Sequence, residues 1–238
     1  MIHQLIFASP RPGMSEAEFQ DYWRYVHAVQ FAAKIPQIRK YKVNSRIDVP
    51  GQDREIGYSG VAEIWIANEQ DQIDSLKTPE YLLGARLDEP NWAASWLTLV
   101  LDTDAHVVVE GSEGNKEVPE YKLMLLIKKK RELSLDSFRA SLKGDFSDKA
   151  KQLPGLTRFL IGTTRDRFYS DGAEPGFDAA VHLCANSLLE LKGMYSNPYF
   201  HDSIYPQLTA IANPTGILSI GVRSEWIIGP DARPYPIV

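Results

Sequence analysis

The sequence lacks most of the features that mark redox, nucleotide-binding and serine-hydrolase proteins. Its 238 residues include one cysteine, Cys184, so no disulfide can form within the chain, which is typical of a reducing compartment. Cys184 lies in the apolar run AAVHLCA, which predicts a buried, unreactive thiol. No glycine-rich loop of the dinucleotide or P-loop type follows a predicted strand, and no Gly-x-Ser-x-Gly elbow occurs.

The sequence also lacks positive net charge, long apolar segments and metal-ligand motifs, which limits the expected partners and cofactors. The net charge is −5, so no positive field would attract nucleic acid or anionic lipid. No apolar window is long enough to cross a bilayer and the first residues carry no basic leader, so we expect a cytoplasmic protein without a membrane partner. The five histidines show no paired spacing on one helix and the carboxylates are scattered, so we expect no metal site.

A repeat of 118 or 119 residues runs through the chain. Ser15 and Phe19 match Ser134 and Phe138 at a separation of 119 residues. Further matches at this spacing are Pro36 with Pro154, Asn68 with Asn186, and Pro79 with Pro198. The stretch EGSEGNKEVPE between the copies has the composition of a linker. The sequence therefore predicts two units, residues 1–111 and 121–238, joined by a linker at 112–120.

Each unit has the predicted order strand, helix, strand, strand, helix, strand, which is that of a ferredoxin-like α+β fold. Such a unit covers one face of its sheet with helices, so the other face must be buried elsewhere. We expect the two units to pack sheet to sheet as an α+β barrel within one chain, enclosing a space between the sheets. The predicted strands are 2–8, 38–43, 60–67 and 97–109, then 123–128, 156–162, 178–185 and 217–228.

The segment EFQDYWRYVHA, residues 18–28, places several aromatic side chains and a histidine on one predicted helix. His27 lies four residues after Trp23, on the apolar side of this helix. On this pattern alone, a partly buried histidine that hydrogen-bonds a backbone carbonyl is the simpler interpretation. The second unit, however, has Asp145 or Phe146 at the matching position, and a residue needed only for packing should have an equivalent in both units. The difference favours a chemical role for His27.

Parts of the first unit resemble the EthD family of dimeric α+β barrel proteins: FQDYWRYVHA with IPQIRKY, then GVAEIW, then AHVV. The family's tryptophan, helix histidine and Glu-x-Trp strand fall on Trp23, His27, Glu63 and Trp65. The second unit resembles the family in framework only, since FRASLKGDFS lacks the tryptophan and histidine and AAVHLCA lacks Glu-x-Trp. The resemblance implies a barrel that two chains normally make and that one chain would here make alone. It also implies dehydratase, cyclase or decarboxylase chemistry without a metal or organic cofactor.

We therefore expect a cofactor-independent lyase or cyclase that acts on an aromatic or polyketide-like small molecule, with His27 as general acid and base. Imidazole, with an ordinary pKa of about 6.5, both takes and gives protons near neutrality. Tyr22 and Tyr25 flank His27, and a phenol can donate to a developing oxyanion. Glu63 either orients His27 or acts as a second acid, and a salt bridge at the sheet edge is the alternative.

Five residues are predicted to contact the substrate. Trp23 and Trp65 would provide flat apolar surfaces, although each also suits a packed core. His3 alternates with apolar residues on the first strand, and His182 lies on the third strand of the second unit, so both are predicted to line the cavity. Tyr25 completes this predicted set.

Two other functions remain open on the sequence alone. One is haem-dependent or cofactor-free oxygenation, which a haem absorbance band in the purified protein would separate from lyase chemistry. The other is a non-catalytic protein that binds a hydrophobic small molecule. The sequence leaves open whether the chain also forms a homodimer.

Overall fold

The computed structural model describes residues 1–49, 57–115 and 117–235. Within these ranges, eight strands form one closed, fully antiparallel barrel in the order β1-β3-β2-β8-β5-β7-β6-β4. The strands are β1 (Ile2–Ala8), β2 (Ile38–Arg46), β3 (Gly60–Ile66), β4 (Leu99–Val109), β5 (Glu120–Lys129), β6 (Arg158–Thr164), β7 (Ala179–Ala185) and β8 (Ala212–Ile228).

The helices lie outside the barrel. They are α1 (Glu16–Tyr22), α2 (Glu69–Ser75), α3 (Arg86–Asp88), α4 (Leu135–Ser141), α5 (Ser147–Ala150), α6 (Leu188–Ser196) and α7 (Tyr205–Ile211). Several are extended by π-helical or 3₁₀ turns, which cover Trp23–Phe31, Ala32–Lys34, Glu80–Ala85, Glu89–Asn91, Leu142–Phe146 and Phe200–Ile204; separate 3₁₀ turns cover Ser95–Leu97 and Asp166–Gly172. No helix in the described ranges is both long and apolar enough to span a bilayer.

Two seams close the barrel by joining strands from opposite halves of the sequence. Strand β2 pairs with β8, and β4 pairs with β6, both antiparallel. Each half supplies four strands in the predicted order, so the predicted tandem ferredoxin-like barrel within one chain is confirmed. The β1 bounds match the prediction, whereas β8 begins five residues earlier than predicted, at Ala212.

Each half has its own apolar core between its helices and the outer face of the barrel. In the first half, Phe19 and Trp23 pack against outward-facing strand residues such as Ile64. In the second half, Phe138 and Phe146 occupy the corresponding layer. The helix α1 begins at a capping box, in which the Ser15 side chain and the Glu18 carboxylate satisfy each other's backbone N–H groups.

Buried side chains point into the interior of the barrel. One end is apolar, with Leu5, Phe7 and Met124 among its buried residues. The other end holds buried charged groups, including Glu63 and Lys122. The prediction that His27 faces a space between the two sheets is wrong, because the cavity that it lines lies on the outer face of the barrel.

Candidate active site

A cavity of about 450 Å³ lies outside the barrel, between the first half's sheet and the helices that cover it. The sheet contributes outward-facing side chains such as Ile6 and Ile64, and the helical layer contributes Trp23, His27 and Trp92. The site therefore belongs to the first half of the chain and not to the barrel interior. His27 lines this cavity, as it was expected to line one, but the cavity is in a different layer of the fold.

His27 is paired with a buried carboxylate. Its Nδ1 lies 2.8 Å from Oδ2 of Asp88, and the two side chains are 9% and 4% exposed. An ionised carboxylate only accepts hydrogen bonds, so Nδ1 must carry the proton. In the neutral ring, Nε2 is then the nitrogen with a free lone pair, which is the form a general base requires.

Asp88 is itself held in place by two donors on its other oxygen. The Tyr22 hydroxyl donates to Oδ1 at 2.8 Å, and the Asn91 amide donates to the same oxygen at 3.1 Å. Asn91 belongs to the 3₁₀ turn that follows Asp88, whereas Tyr22 and His27 belong to the first helical segment. The carboxylate thus fixes both the position and the tautomer of the imidazole.

Burial sets the charge state of the imidazole. Desolvation lowers the pKa of His27 below its ordinary value, and the hydrogen bond and charge of Asp88 offset this only in part. The pKa of Tyr22 is raised by desolvation and by its contact with Asp88, so the phenol keeps its proton. At neutral pH the site therefore presents a neutral imidazole oriented by a carboxylate.

Aromatic rings form the wall next to His27. The Trp92 ring centre lies 4.6 Å from that of His27 and 4.8 Å from that of Trp23. Trp23 donates from Nε1 to the Tyr41 hydroxyl at 3.1 Å, which satisfies its polar atom inside the fold. Apart from this hydrogen bond, the indole faces offer flat apolar surface, which suits an aromatic ligand.

Glu89 is a second titratable group on the cavity wall. Burial raises its pKa above the ordinary carboxyl value, although its ion pair with Arg86, at 3.0 Å, opposes the shift. A carboxyl group with a raised pKa is better able to hold and deliver a proton near neutrality. Glu89 and His27 are therefore shifted in opposite directions within one cavity.

The tyrosines predicted beside His27 lie in two different places. Tyr22 is close to the site, but its hydroxyl donates to Asp88, so it acts on the carboxylate and not on an oxyanion. Tyr25 is 57% exposed and lines a separate, shallow surface depression with residues such as Asp21. The predicted contact of Tyr25 with the substrate cavity is wrong, because the helix turns its side chain toward solvent.

Glu63 does not contact His27, so the predicted orienting role is wrong. Its neighbours Ala62 and Ile64 line the cavity, whereas Glu63 points to the opposite face of β3, into the barrel. There its Oε2 accepts from Nζ of Lys122 at 2.5 Å. Burial would raise the pKa of Glu63, but the Lys122 charge and further contacts lower it well below its ordinary value.

Three other predicted substrate contacts also lie inside the barrel. His3 and His182 are fully buried there, with ring centres 5.5 Å apart. Trp65 packs against His3 at 5.1 Å and against Trp226 at 5.7 Å. The prediction that they share a cavity with His27 is wrong, because strand alternation places all three on the opposite face of the barrel wall.

Sequence reasoning missed Asp88, Asn91 and Trp92. They lie in RLDEPNW, where a short helix ends before Pro90, and no periodic pattern relates them to His27. The one available signal is an aspartate beside a helix end, which usually indicates a cap and not a functional group. Only the packing of two distant helices brings Asp88 to His27, across 61 residues of sequence.

The second half has apolar groups at the positions that match three residues of the His27 site. At a spacing of 119 residues, the counterparts of Trp23, His27 and Trp92 are Leu142, Phe146 and Ile211. All three counterparts are buried in the second core. The histidine–carboxylate pair is therefore confined to the first half among these matched positions.

Comparison with known proteins finds one family model that matches part of the first half. A family model described as the EthD domain matches residues 11–95. A search of curated proteins finds no match to the sequence.

Solved structures match over nearly the whole chain. A "putative monooxygenase" from Fusobacterium nucleatum subsp. nucleatum ATCC 25586 aligns with a TM-score of 0.61 and 14% identity, covering 98% of this chain and 96% of that one. An "anthrone oxidase-like protein" aligns with a TM-score of 0.63 and 11% identity, covering 94% and 92%. A mutant chlorite dismutase from Candidatus Nitrospira defluvii aligns with a TM-score of 0.51 and 12% identity, covering 93% of this chain and 90% of that one. At these identities the similarity shows a shared fold.

Proposed function

We propose that the cavity of the first half, in which the EthD domain model matches residues 11–95, performs cofactor-independent lyase or cyclase chemistry on an aromatic or polyketide-like small molecule. The observation that carries the proposal is the buried pair of His27 and Asp88 on the wall of an aromatic-lined cavity. A neutral imidazole with a fixed tautomer is suited to remove a proton from carbon next to a carbonyl group.

Dehydration of a β-hydroxy ketone illustrates the chemistry. Nε2 of His27 takes the proton from the carbon next to the carbonyl, and the C–H electron pair moves into an enolate. The enolate then forms a carbon–carbon double bond and expels the β-hydroxyl group, which takes a proton and leaves as water. Aldol ring closure starts from the same proton removal, so the same base serves both reactions. Decarboxylation forms the enolate by loss of carbon dioxide, and the enolate carbon then takes a proton from an acid in the cavity.

We assign the second proton transfer to Glu89. Burial raises its pKa above the ordinary carboxyl value, and it lines the same cavity as His27. Loss of hydroxide from an enolate is slow unless the leaving oxygen is protonated, which a positioned acid provides. In this proposal His27 is the base that removes the proton from carbon, and Glu89 is the acid that protonates the leaving oxygen.

The size and lining of the cavity support a hydrophobic substrate. Its volume of about 450 Å³ falls within the range of about 300–1,000 Å³ that is typical of small-molecule sites. Apolar residues, including strand side chains and indole rings, make up more than half of the wall, with polar groups such as His27, Arg86 and Glu89 among them. Such a lining favours a flat ring system that presents one carbonyl group.

The direct test is turnover of a panel of β-hydroxy ketones and polycyclic aromatic ketones by wild type and His27→Gln. We expect His27→Gln to lose about 10²–10⁴-fold in kcat/KM, because glutamine keeps the bulk of the side chain but is no base. His201→Gln is the matched control, since His201 is exposed on the second half and lines another cavity there. Equal activity of wild type and His27→Gln on any turned-over substrate would remove the catalytic proposal.

Binding without turnover is the non-catalytic alternative. Isothermal calorimetry with the same panel would then give binding, with no product detected by mass spectrometry and no dependence on the imidazole. We expect instead that compounds that bind also lose water or carbon dioxide, or close a ring, during incubation with wild type.

Oxygenation without a cofactor is the second candidate, and the anthrone oxidase-like structural neighbour motivates it. The same base would convert an activated CH₂ group of a polycyclic phenol into a carbanion that reacts with O₂. The balanced outcome is that CH₂ and O₂ give C=O and water. Oxygen-electrode measurements with an anthrone separate the two candidates, since lyase chemistry consumes no O₂. A haem absorbance band in the purified protein would instead indicate haem chemistry.

A further inference from the structure

We propose that the barrel interior contains a structural site for a divalent transition-metal ion, formed by His3, Glu63 and His182. This site is separate from the cavity of the proposed function, on the other face of the barrel wall. All three side chains are fully buried. One ligand atom from each lies within 4.8 Å of the other two.

His182 supplies the first independent reason. Neither of its ring nitrogens has a hydrogen-bond partner among the described residues, although the side chain is fully buried. Its Nδ1 is aimed at the cluster, 3.5 Å from Oε1 of Glu63. Buried polar atoms nearly always have partners, so an unpaired imidazole in the centre of a barrel calls for a ligand.

The hydrogen bonds of His3 supply the second reason. The Thr103 hydroxyl has one proton, and it donates that proton to the backbone carbonyl of His3 at 3.0 Å. The same hydroxyl must then accept from Nδ1 of His3, 2.9 Å away. In a neutral ring this leaves a lone pair on Nε2, which faces Oε1 of Glu63 at 3.0 Å. Two lone pairs at that distance repel unless a cation lies between them.

The distances suit one ion bound by three ligands. Zinc bonds to imidazole nitrogen and carboxylate oxygen are about 2.0–2.2 Å long, which places tetrahedral ligand atoms roughly 3.4 Å apart. The two observed separations from Oε1 of Glu63 are 3.0 Å and 3.5 Å. The Thr103 contact behind His3 is the kind of outer hydrogen bond that orients a metal-binding imidazole.

Neighbouring charges restrict how Glu63 can bind. Its second oxygen accepts from Lys122, so only Oε1 is available and the carboxylate would be a monodentate ligand. Lys122 also lies 3.3 Å from Glu120, which pairs with Lys42, so the local lysine and glutamate charges balance in number. A divalent ion would be the added charge, and a bound hydroxide or water is the expected fourth ligand.

The donor set selects the class of ion. Two imidazoles and one carboxylate favour Zn²⁺ and its first-row neighbours, whereas Mg²⁺ and Ca²⁺ prefer oxygen ligands alone. His3 and Glu63 come from the first half of the chain and His182 from the second. Because the ligands are buried and join both halves, we assign the ion the role of stabilising the closed barrel.

The test begins with wild-type protein expressed in medium supplemented with Zn²⁺, because the buried ligands favour loading during folding. Elemental analysis should find close to one zinc per chain after desalting. Unfolding in a strong chelator and refolding with or without Zn²⁺ should give melting temperatures that differ by about 5–10 °C, the shift expected for an ion at about 100 times its dissociation constant. Protein expressed with Co²⁺ should show the visible absorption of low-coordinate cobalt.

A matched pair of variants locates the ion. His182→Ala should lose the zinc and the response of its melting temperature to metal, whereas His106→Ala, an exposed histidine, should keep both. The proposal would be overturned if the wild-type protein contained no metal and its melting temperature did not change with Zn²⁺. It would also be overturned if His182→Ala retained one zinc per chain. If His182→Ala does not fold, the wild-type stoichiometry and the cobalt spectrum decide between a metal site and a protonated His3.

Discussion

The protonation state of His27 depends on two neighbours that act in opposite directions. Burial lowers the pKa of the imidazole, and the Asp88 charge raises it by a smaller amount. The base form therefore persists below the ordinary histidine pKa of 6.5. Activity that requires neutral His27 should be lost only as the pH falls through this lowered pKa, so the acidic limb of kcat/KM should lie below pH 6.5.

Asp88→Asn tests the positioning role of the carboxylate. The substitution removes the charge that raises the His27 pKa, so the acidic limb should move to still lower pH while kcat falls by about 10–100-fold. The measurement is a pH profile of kcat/KM for wild type and the variant. Asp21→Asn, an exposed change on the same helix as Tyr22, is the control. A lower kcat with an unmoved limb would indicate a purely structural effect.

Tyr22→Phe distinguishes an orienting phenol from an oxyanion donor. The hydroxyl donates to Asp88, which keeps its contacts with His27 and Asn91 when the phenol is removed. We expect kcat to fall by about 10-fold or less, since one hydrogen bond of about 1 kcal/mol is lost from the outer layer. A loss as large as that of His27→Gln, at unchanged KM, would mean that the phenol contacts the reacting atoms.

At the scale of single residues, the sequence predicted the cavity histidine but not its partner. His27 could be identified because the repeat allows a comparison with the second half, which has Asp145 or Phe146 at the matching position. Glu63 was paired with it wrongly, because alternation along a strand reveals two faces without indicating which face meets the helix. Asp88 had no sequence signal, since its contact with His27 depends on how two helices pack.

The first helix is held at its start by side chains that the sequence reveals. Ser15 and Glu18 form a capping box, and the Asn68 side chain accepts from the backbone N–H of Asp71 at 2.9 Å. In the second half Ser187, the residue after Asn186, caps the corresponding helix. Two adjacent residues that both favour the cap position leave the choice to the packing of the chain.

Ser15→Ala tests whether this helix start affects stability separately from chemistry. Loss of the cap should lower the free energy of unfolding by about 1 kcal/mol, which corresponds to a melting temperature about 2–4 °C lower for a chain of this size. The activity at 25 °C should stay within about twofold, because His27 lies three turns further along. Calorimetry and a single kinetic assay suffice; a large loss of activity without destabilisation would contradict this separation.

The whole barrel should respond to acid through its buried carboxylates. Burial alone would raise the pKa of Glu120, but the charges of Lys122 and Lys42 outweigh it and lower the pKa to about 2. The unfolded chain titrates near 4.5, so the folded state binds fewer protons between these values. The stabilisation, about 3 kcal/mol, is complete above pH 4.5 and is lost as the pH falls toward 2.

Glu120→Gln should remove part of this dependence. The variant should be less stable than wild type at pH 7, because Lys122 and Lys42 lose a buried partner, and its stability should fall less steeply below pH 4.5. Urea unfolding at pH 7, 4 and 3 measures both effects. Glu117→Gln, an exposed change, is the control. Parallel curves for Glu120→Gln and wild type would show that other groups govern the acid response.

At the scale of the molecule, the sequence predicted the architecture well because the same order of strands and helices occurs in both halves of the chain. The repeat, the strand order and the need to bury a second sheet face led to the closed barrel. The same reasoning placed the His27 cavity wrongly, between the two sheets instead of on the outer face of the barrel. The position of this cavity depends on how the helices pack on the sheet, and a pattern of alternation does not contain that packing.

Because the two halves are joined in one chain, a residue can change in one half without the same change in the other. In a barrel made by two copies of one chain, every substitution is made twice, so a change that strengthens packing at one helix also erases the chemistry at its twin. Here His27 and its counterpart, Phe146, are two different positions of one chain and are encoded separately. After a gene duplication of this kind, one copy can be selected for turnover and the other for rigidity, which a symmetric dimer can never separate.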